Sequence, residues 1–353
     1  MRKESVQFLR DIIAAPSPSG YEQPAQRVVR QRMDSFADEI RTDLHGNLIV
    51  VKNPAGSPRV MLAGHIDQIG MMVVHITDDG YLRLQPIGGI DTVHLVGARV
   101  WVHTKSGPIP GIIGRTAIHL LPAEQRGKAP EIHDLWVDLG VSDRKAAEKL
   151  VRIGDPVTWQ DGWLELQGGL VAAAGFDDKV GAFVAMEALR LAAQRKLSCA
   201  LYAVSTVQEE IGLRGAQTSA FGIDPLVGIA IDVGHATDYP GSSKDRQGDV
   251  RLGKGPIIAR GANINPVVFD LLVRVAEKEK IPYQLEGAPR ATGTDANVIQ
   301  VTRAGVAAGL VSIPNRYMHS AVEVVALNDL ENTAKLIAAA VAAITPDMNF
   351  TPV

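Results

Sequence analysis

A chain of 353 residues with 46% hydrophobic side chains exceeds the usual size of one core and points to two domains. Its formal net charge is only −3 with both signs interspersed, which argues against a nucleic-acid partner and against an anionic membrane surface. Cys199 is the only cysteine, so an intrachain disulfide is excluded and a reducing compartment is expected. Met1 to Ala14 carries Glu4, Arg10 and Asp11 and does not read as a signal peptide. No stretch has the length of a membrane span, and a cytoplasmic protein is expected.

In chain order, residues 4–14 read as a helix stopped by Pro16-Ser17-Pro18. Ser19-Gly20-Tyr21-Glu22 fits a capping box that opens a second helix to about Phe36. Leu48 to Val51 and Arg59 to Ala63 are apolar strands, the latter ending in Gly64-His65-Ile66-Asp67. From about Met72 to Gln167 the segments become short and β-branched with frequent Gly/Pro breaks. This pattern predicts a small β-barrel or sandwich with one helix, Asp143 to Leu150, capped by Ser142. Pro122 to Asp134 reads as a mobile loop.

Alternation of strand and helix then resumes. Asp177 and Asp178 precede a helix. The strand Ala200 to Val207, led by Cys199 as a small buried hydrophobe, runs into Glu209-Glu210. Val227 to Ile231 ends at Asp232, a helix spans about Pro266 to Lys280, and Gly293-Thr294-Asp295-Ala296 opens a short one. Val306 to Ile313 leads to a loop with His319, and Leu327 to Ile344 is the last helix. The flanks, 1–71 and 168–353, form one discontinuous α/β domain, a three-layer αβα sandwich, and 72–167 is the inserted β-rich domain.

Four strands thus lead into His65, Glu209-Glu210, Asp232 and His319, with Asp177 at a helix start. In an open α/β sheet such positions meet at one rim, beyond the carboxyl ends of the strands. Two histidines and several carboxylates without cysteine make a ligand set for a borderline divalent ion such as Zn²⁺ or Co²⁺, catalytic in character and not structural. His65 and Asp67 at i and i+2 share a face of an extended chain, so Asp67 can accept the spare ring N–H of His65. His94, His103, His119 and His133 match no compact ligand spacing. His119 is expected near the main site, and His235 close to it or in a loop.

The ordered set AGHIDQIG (63–70), AAGFDDKVGA (173–182), VQEEIGLRGA (207–216), IAIDVGHATDYPG (229–241), TGTDA (292–296) and YMHSAVE (317–323) resembles the tetrahedral aminopeptidases. This is a family of glutamyl and related cytosolic aminopeptidases, some labelled endoglucanase or cellulase M. SGYE (19–22), HGNLIV (45–50) and GARVWVHTKSGPIPGIIG (97–114) extend the likeness over essentially the whole chain. The resemblance implies a zinc-exopeptidase-like sandwich with an inserted dimerisation barrel. It implies two divalent metal ions, Zn or Co, bridged by Asp177, with His65 and Asp232 completing one site and Glu210 and His319 the other. Glu209 would be the general base acting on a metal-activated bridging water, and Asp67 the orienter of His65. Gln68 departs from the family, where Glu often follows the H-x-D. Small peptides would be the substrates, and dimers would build a dodecamer.

Thr292-Gly293-Thr294-Asp295 and Arg316-Tyr317 are expected to line the substrate pocket, with Thr294, Asp295 and Tyr317 as contacts. Two other functions remain open from the residues. Glycoside hydrolysis needs two carboxylates flanking a sugar and has no use for His65 and His319. A metal-free scaffold would use the insert only for assembly.

Overall fold

The strand Arg59–His65 lies inside an eight-stranded mixed sheet, here in a computed structural model that describes residues 1–160 and 162–352. Strand order is Glu39–Thr42, Leu48–Lys52, Ala200–Thr206, Arg59–His65, Val227–His235, Ala307–Asn315, Ile257–Gly261, Gln284–Ala288. The middle four are mutually parallel, with Thr206 opposite His65 and Asp232 opposite Ser312. They are buried nearly end to end, which is why their sequences are continuous apolar runs without polar alternation. Their carboxyl ends therefore open at one rim.

Glycines set how closely the helices approach. A Cβ on Gly228 would meet Ile299 of Ala296–Gln300, and one on Gly309 would meet Val268 of Pro266–Glu279. Gly228 pairs with Ala308, so Gly309 faces the other side, and the two helices cover opposite faces. Phe176–Ala192 packs against Leu327–Ala343 and Lys3–Ala14 in the layer that includes Pro266–Glu279. A three-layer αβα sandwich results.

Between His65 and Phe176 the chain forms a closed six-stranded barrel in the order Gly70–Ile76, Leu82–Ile87, Trp136–Asp138, Gly107–Gly114, Arg99–Thr104, Pro156–Trp159. Its own core includes Met71, Val73, Leu82, Val100, Val137 and Val157. The expectation of an α/β sandwich with a small inserted barrel is met. A three-stranded sheet, Leu164–Glu165, Leu170–Ala173 and Glu323–Ala326, accompanies them. Among the described residues no helix is long and apolar enough to cross a membrane.

Local expectations differ from the structure in three places. Ser19 does not cap the second helix, Gln23–Met33, because its hydroxyl is bonded to Asp67; Glu22 takes the N-cap position instead. The barrel helix, Arg144–Glu148, is capped by Asp143, whose carboxylate accepts from the Ala146 N–H, and not by Ser142. The strand expected to stop at Ile231 runs on to His235, which puts Asp232 inside it.

Gly64, the residue before His65, is where sheet and helix meet most tightly. A Cβ there would stand 2.2 Å from the backbone of Gly181 and 2.4 Å from that of Ala182. Neither neighbour is a side chain that can swing away. Gly64→Ala is expected to destabilise the protein by about 2–3 kcal/mol or more through overpacking. Denaturant unfolding with an unchanged midpoint would contradict this packing role.

Candidate metal centre

Each expected ligand lies at the rim of the four parallel strands. His65 ends one strand, Asp232 lies within the next, and Glu209-Glu210 and His319 sit in the loops just after the other two. Asp177 enters from the start of the covering helix with a non-helical backbone, φ −75° and ψ 109°, which turns its side chain to the rim. His65, Asp177, Glu209 and Asp232 are buried, Glu210 is half-buried with its side chain turned inward, and the side chain of His319 is 38% exposed.

Asp177 is at the centre. Its Oδ1 lies 3.2 Å from His65 Nε2 and its Oδ2 lies 3.2 Å from His319 Nε2. Asp232 Oδ1 stands 3.8 Å from His65 Nε2, and Glu210 Oε2 3.6 Å from His319 Nε2. Glu209 Oε2 lies 3.7 Å from His65 Nε2. Grouping donor atoms that all lie within 4.8 Å of one another gives a different division, His65/Asp177/Glu210 and His65/Asp178/Asp232. The Asp178 oxygens of the second group are engaged by the main chain. They accept the backbone N–H groups of His65, at 3.2 Å, and of Gly181, at 3.0 Å.

Both imidazoles are oriented from behind. His65 Nδ1 is 3.0 Å from the backbone carbonyl of Asp67 and 3.5 Å from its carboxylate, so the nearer acceptor is the peptide oxygen. His319 Nδ1 is 2.8 Å from the carbonyl of Gly89, which belongs to the connection between barrel strands. In each case a carbonyl accepts from Nδ1–H and turns Nε2 toward the acids. The Asp67 carboxylate itself accepts from Glu209 N at 3.0 Å, Glu210 N at 3.2 Å and Ser19 Oγ at 2.7 Å. It fixes the backbone of the Glu pair.

The electrostatics are those of acids crowded away from water. Burial pushes Glu209 up to about 10, Glu210 to about 8 and Asp232 to about 8, with neighbouring carboxylates adding to the effect. Burial opposes ionisation of Asp177 too, but hydrogen bonds from His319 and His65 hold it well below the usual carboxylate range. Burial would lower His65, yet Glu209 and the aspartates around it raise it well above an ordinary histidine. Glu210 Oε1 is buried with no hydrogen-bond partner. Two imidazole nitrogens, four clustered carboxylates and an orphaned carboxylate oxygen suit a divalent cation far better than they suit each other.

Beside this cluster lies a cavity of about 630 Å³ lined in part by Thr292, Gly293, Thr294, His235, Glu286 and Met318. Thr294 lines it as expected. Asp295 and Tyr317 lie outside its lining. Asp295 sits underneath, 3% exposed, accepting from Thr206 Oγ1 at 2.7 Å, and its pKa is raised by burial to about 6. Tyr317 packs edge-on against Tyr239, and Arg316 is paired with Asp238 at 2.7 Å. His119 is exposed and also outside the lining. His103 is bonded to Thr158 at 2.8 Å, and burial lowers its pKa to about 4. The departing residue, Gln68, accepts from the buried Lys179 Nζ at 2.6 Å. Nothing in the residue pattern pointed to Asp178, Gly89 or Glu323 as supports of the rim residues, because their roles arise from contacts between distant segments.

An αβα sandwich with a barrel insert and an acid–imidazole rim defines a hydrolase of the metallopeptidase class. The family model for M42 glutamyl aminopeptidase matches residues 46–336. The lysyl aminopeptidase of Pyrococcus furiosus is 40% identical over 349 residues, covering 98% of this chain and 99% of that protein. A TET aminopeptidase from a marine-sediment archaeon of the Thaumarchaeota superposes with a TM-score of 0.92 at 33% identity, over 97% of both chains. The TET1 peptidase of Pyrococcus horikoshii, described as able to assemble into a tetrahedron or a large octahedral shell, gives 0.86 at 32% identity over 96% of this chain and 100% of that one. The chain belongs to the M42 glutamyl aminopeptidase family.

Glu22 offers a pH test of the scaffold around Asp67. It is 3% exposed, accepts from Gly20 N at 2.7 Å, and burial raises it from 4.5 to about 7. The folded state therefore holds this proton more tightly than the unfolded one. The associated stability is complete below about 4.5 and is lost as pH rises through about 7. Glu22→Gln is expected to gain about 1–2 kcal/mol over the parent at pH 8 and little at pH 4.5. Denaturant unfolding at the two pH values measures it, and an equal effect at both would contradict the assignment.

Proposed function

We propose that the chain is a two-cation aminopeptidase that removes the N-terminal residue of small peptides, with Glu209 as general base. What carries the proposal is the placement of Asp177, whose two oxygens stand 3.2 Å from imidazoles on opposite sides while Glu209 lies alongside. His65 and Asp232 would hold one ion, Glu210 and His319 the other, and Asp177 both. Zinc or cobalt suits these donors. Cations bound there would supply Lewis-acid polarisation of the scissile carbonyl and a more acidic water.

The remaining work falls to the chain. Glu209 takes a proton from the attacking water and returns it to the departing amine, as a general acid–base does. Asp67 keeps Glu209 and Glu210 in place by holding their N–H groups, so that neighbouring carboxylates serve different tasks. The cavity beside them takes the first side chain of the peptide, and Thr294 borders it. The segments 1–71 and 168–353 form the catalytic unit, and 72–167 joins subunits. By analogy with its TET relatives the protein would build dimers into a dodecamer, in the cytoplasm.

Full chelation is expected to abolish hydrolysis of amino-acyl chromogenic substrates, with recovery on adding Zn²⁺ or Co²⁺. Hydrolysis that survives complete metal removal would end the two-cation reading, and metal-independent cellulose hydrolysis would point to a glycosidase instead. Glu209→Gln should keep cation uptake while kcat falls about 10²–10⁴-fold. Parent-like kcat in this variant would remove Glu209 from the role of base.

A further inference from the structure

Glu323 is a buried carboxylate that meets the backbone of the acid–imidazole cluster and not its side chains, and it does not line the cavity. It is 1% exposed, at the first position of the strand Glu323–Ala326, in register with Ala173 of Leu170–Ala173. Its Oε2 accepts the backbone N–H of Asp177 at 2.9 Å, and its Oε1 accepts that of His319, also at 2.9 Å. Among the described residues it has no cationic partner within ion-pair distance. Both oxygens are thus committed to the main chain of two rim residues that are far apart in sequence.

Those two backbones need holding. His319 has φ +61°, a left-handed conformation that a residue with a Cβ rarely adopts, and Tyr317 before it is likewise at +61°. Asp177 is non-helical inside the first turn of its helix, so no intrahelical carbonyl claims its N–H. The loop between them and the strand is pinched shut by Arg316 and Val324, which exchange backbone hydrogen bonds of 3.0 Å in both directions. Inside that pinch, the Glu323 carboxylate reaches both ligand-bearing residues. Asp67 plays the matching part on the other side, where it accepts from Glu209 N and Glu210 N.

We infer that Glu323 is the positioning residue for the cation site formed by Asp177, Glu210 and His319, setting the spacing between the shared aspartate and its histidine. The inference rests on the two-cation reading. A carboxylate is required because both of its oxygens must accept at once. Glutamine offers one acceptor and turns an N–H₂ toward the second N–H, and aspartate is one methylene too short to span both. Loss of the brace loosens His319, which serves this site alone, more than Asp177, whose other oxygen still faces His65, and it leaves His65 and Asp232 untouched. Supports of this kind usually change metal affinity 10–100-fold.

Titration of the metal-free protein with Co²⁺, followed by calorimetry and by the visible absorption of the bound ion, tests this. The parent is expected to take up two ions. Glu323→Gln should bind the first with parent-like affinity and spectrum and the second about 10–100-fold more weakly, with an altered second band. Glu323→Asp, which keeps the charge, should show the same selective loss and serves if the glutamine variant fails to fold. Ser320→Ala, which removes the hydroxyl that donates to the Tyr317 carbonyl and accepts from Val322 N, is the control for general loosening of the loop and should leave both affinities unchanged. Two ions bound with parent affinity in both Glu323 variants would overturn this assignment alone. Equal weakening of both sites would also overturn it, since the role would then be merely structural. A parent that takes up no Co²⁺ would overturn the two-cation reading and this inference with it.

Discussion

Mutual repulsion among buried carboxylates is the constraint on which this rim depends. Asp177, Glu209, Glu210 and Asp232 converge where water is scarce, and burial together with the neighbouring carboxylates lifts three of them to about 8 or above. A protein that keeps such a cluster must hold its acids by their backbones, because their side chains repel one another. It does so with two further carboxylates, Asp67 and Glu323, each spanning the N–H groups of two rim residues. Both are buried at 1% exposure or less. The charge is thus balanced locally by oriented N–H dipoles, leaving the cluster oxygens for a cation.

The insert takes part in this arrangement. Gly89, in a connection between barrel strands, accepts from the ring of His319, so the orientation of one imidazole depends on how barrel and sandwich meet. A Cβ on Gly89 would stand 3.2 Å from that ring nitrogen, and the glycine is what permits the close approach. The more exposed of the two histidines is therefore steadied from two sides, by the barrel at its ring and by Glu323 at its backbone. His65, at 2% exposure, is steadied from within the sandwich, by the Asp67 carbonyl at its ring and the Asp178 carboxylate at its backbone.

The fold was largely legible because its signals are local. Continuous apolar runs such as Arg59 to Ala63 and Ala200 to Val207 can only be strands covered on both faces, and the break in pattern after Met72 marked the barrel. Errors arose where side chains had two partners to choose from. Ser19 has the form of a helix cap but bonds to Asp67, and the choice is made by a residue 48 positions away. Thr294 was found at the cavity, but Asp295 and Tyr317 were not, because which way a loop residue faces depends on packing.

By itself the sequence determined which residues come to the rim. His65 and Asp232 lie at or near the ends of apolar strands, Glu209, Glu210 and His319 follow such strands within a few positions, and parallel strands deliver their ends to one edge. Only the tertiary structure decided how those residues are held. The grip of Glu323 on Asp177 crosses 146 positions and that of Gly89 on His319 crosses 230. Contacts of that range leave no periodicity or spacing in the chain, since they depend on the geometry of the closed fold and not on neighbours in sequence.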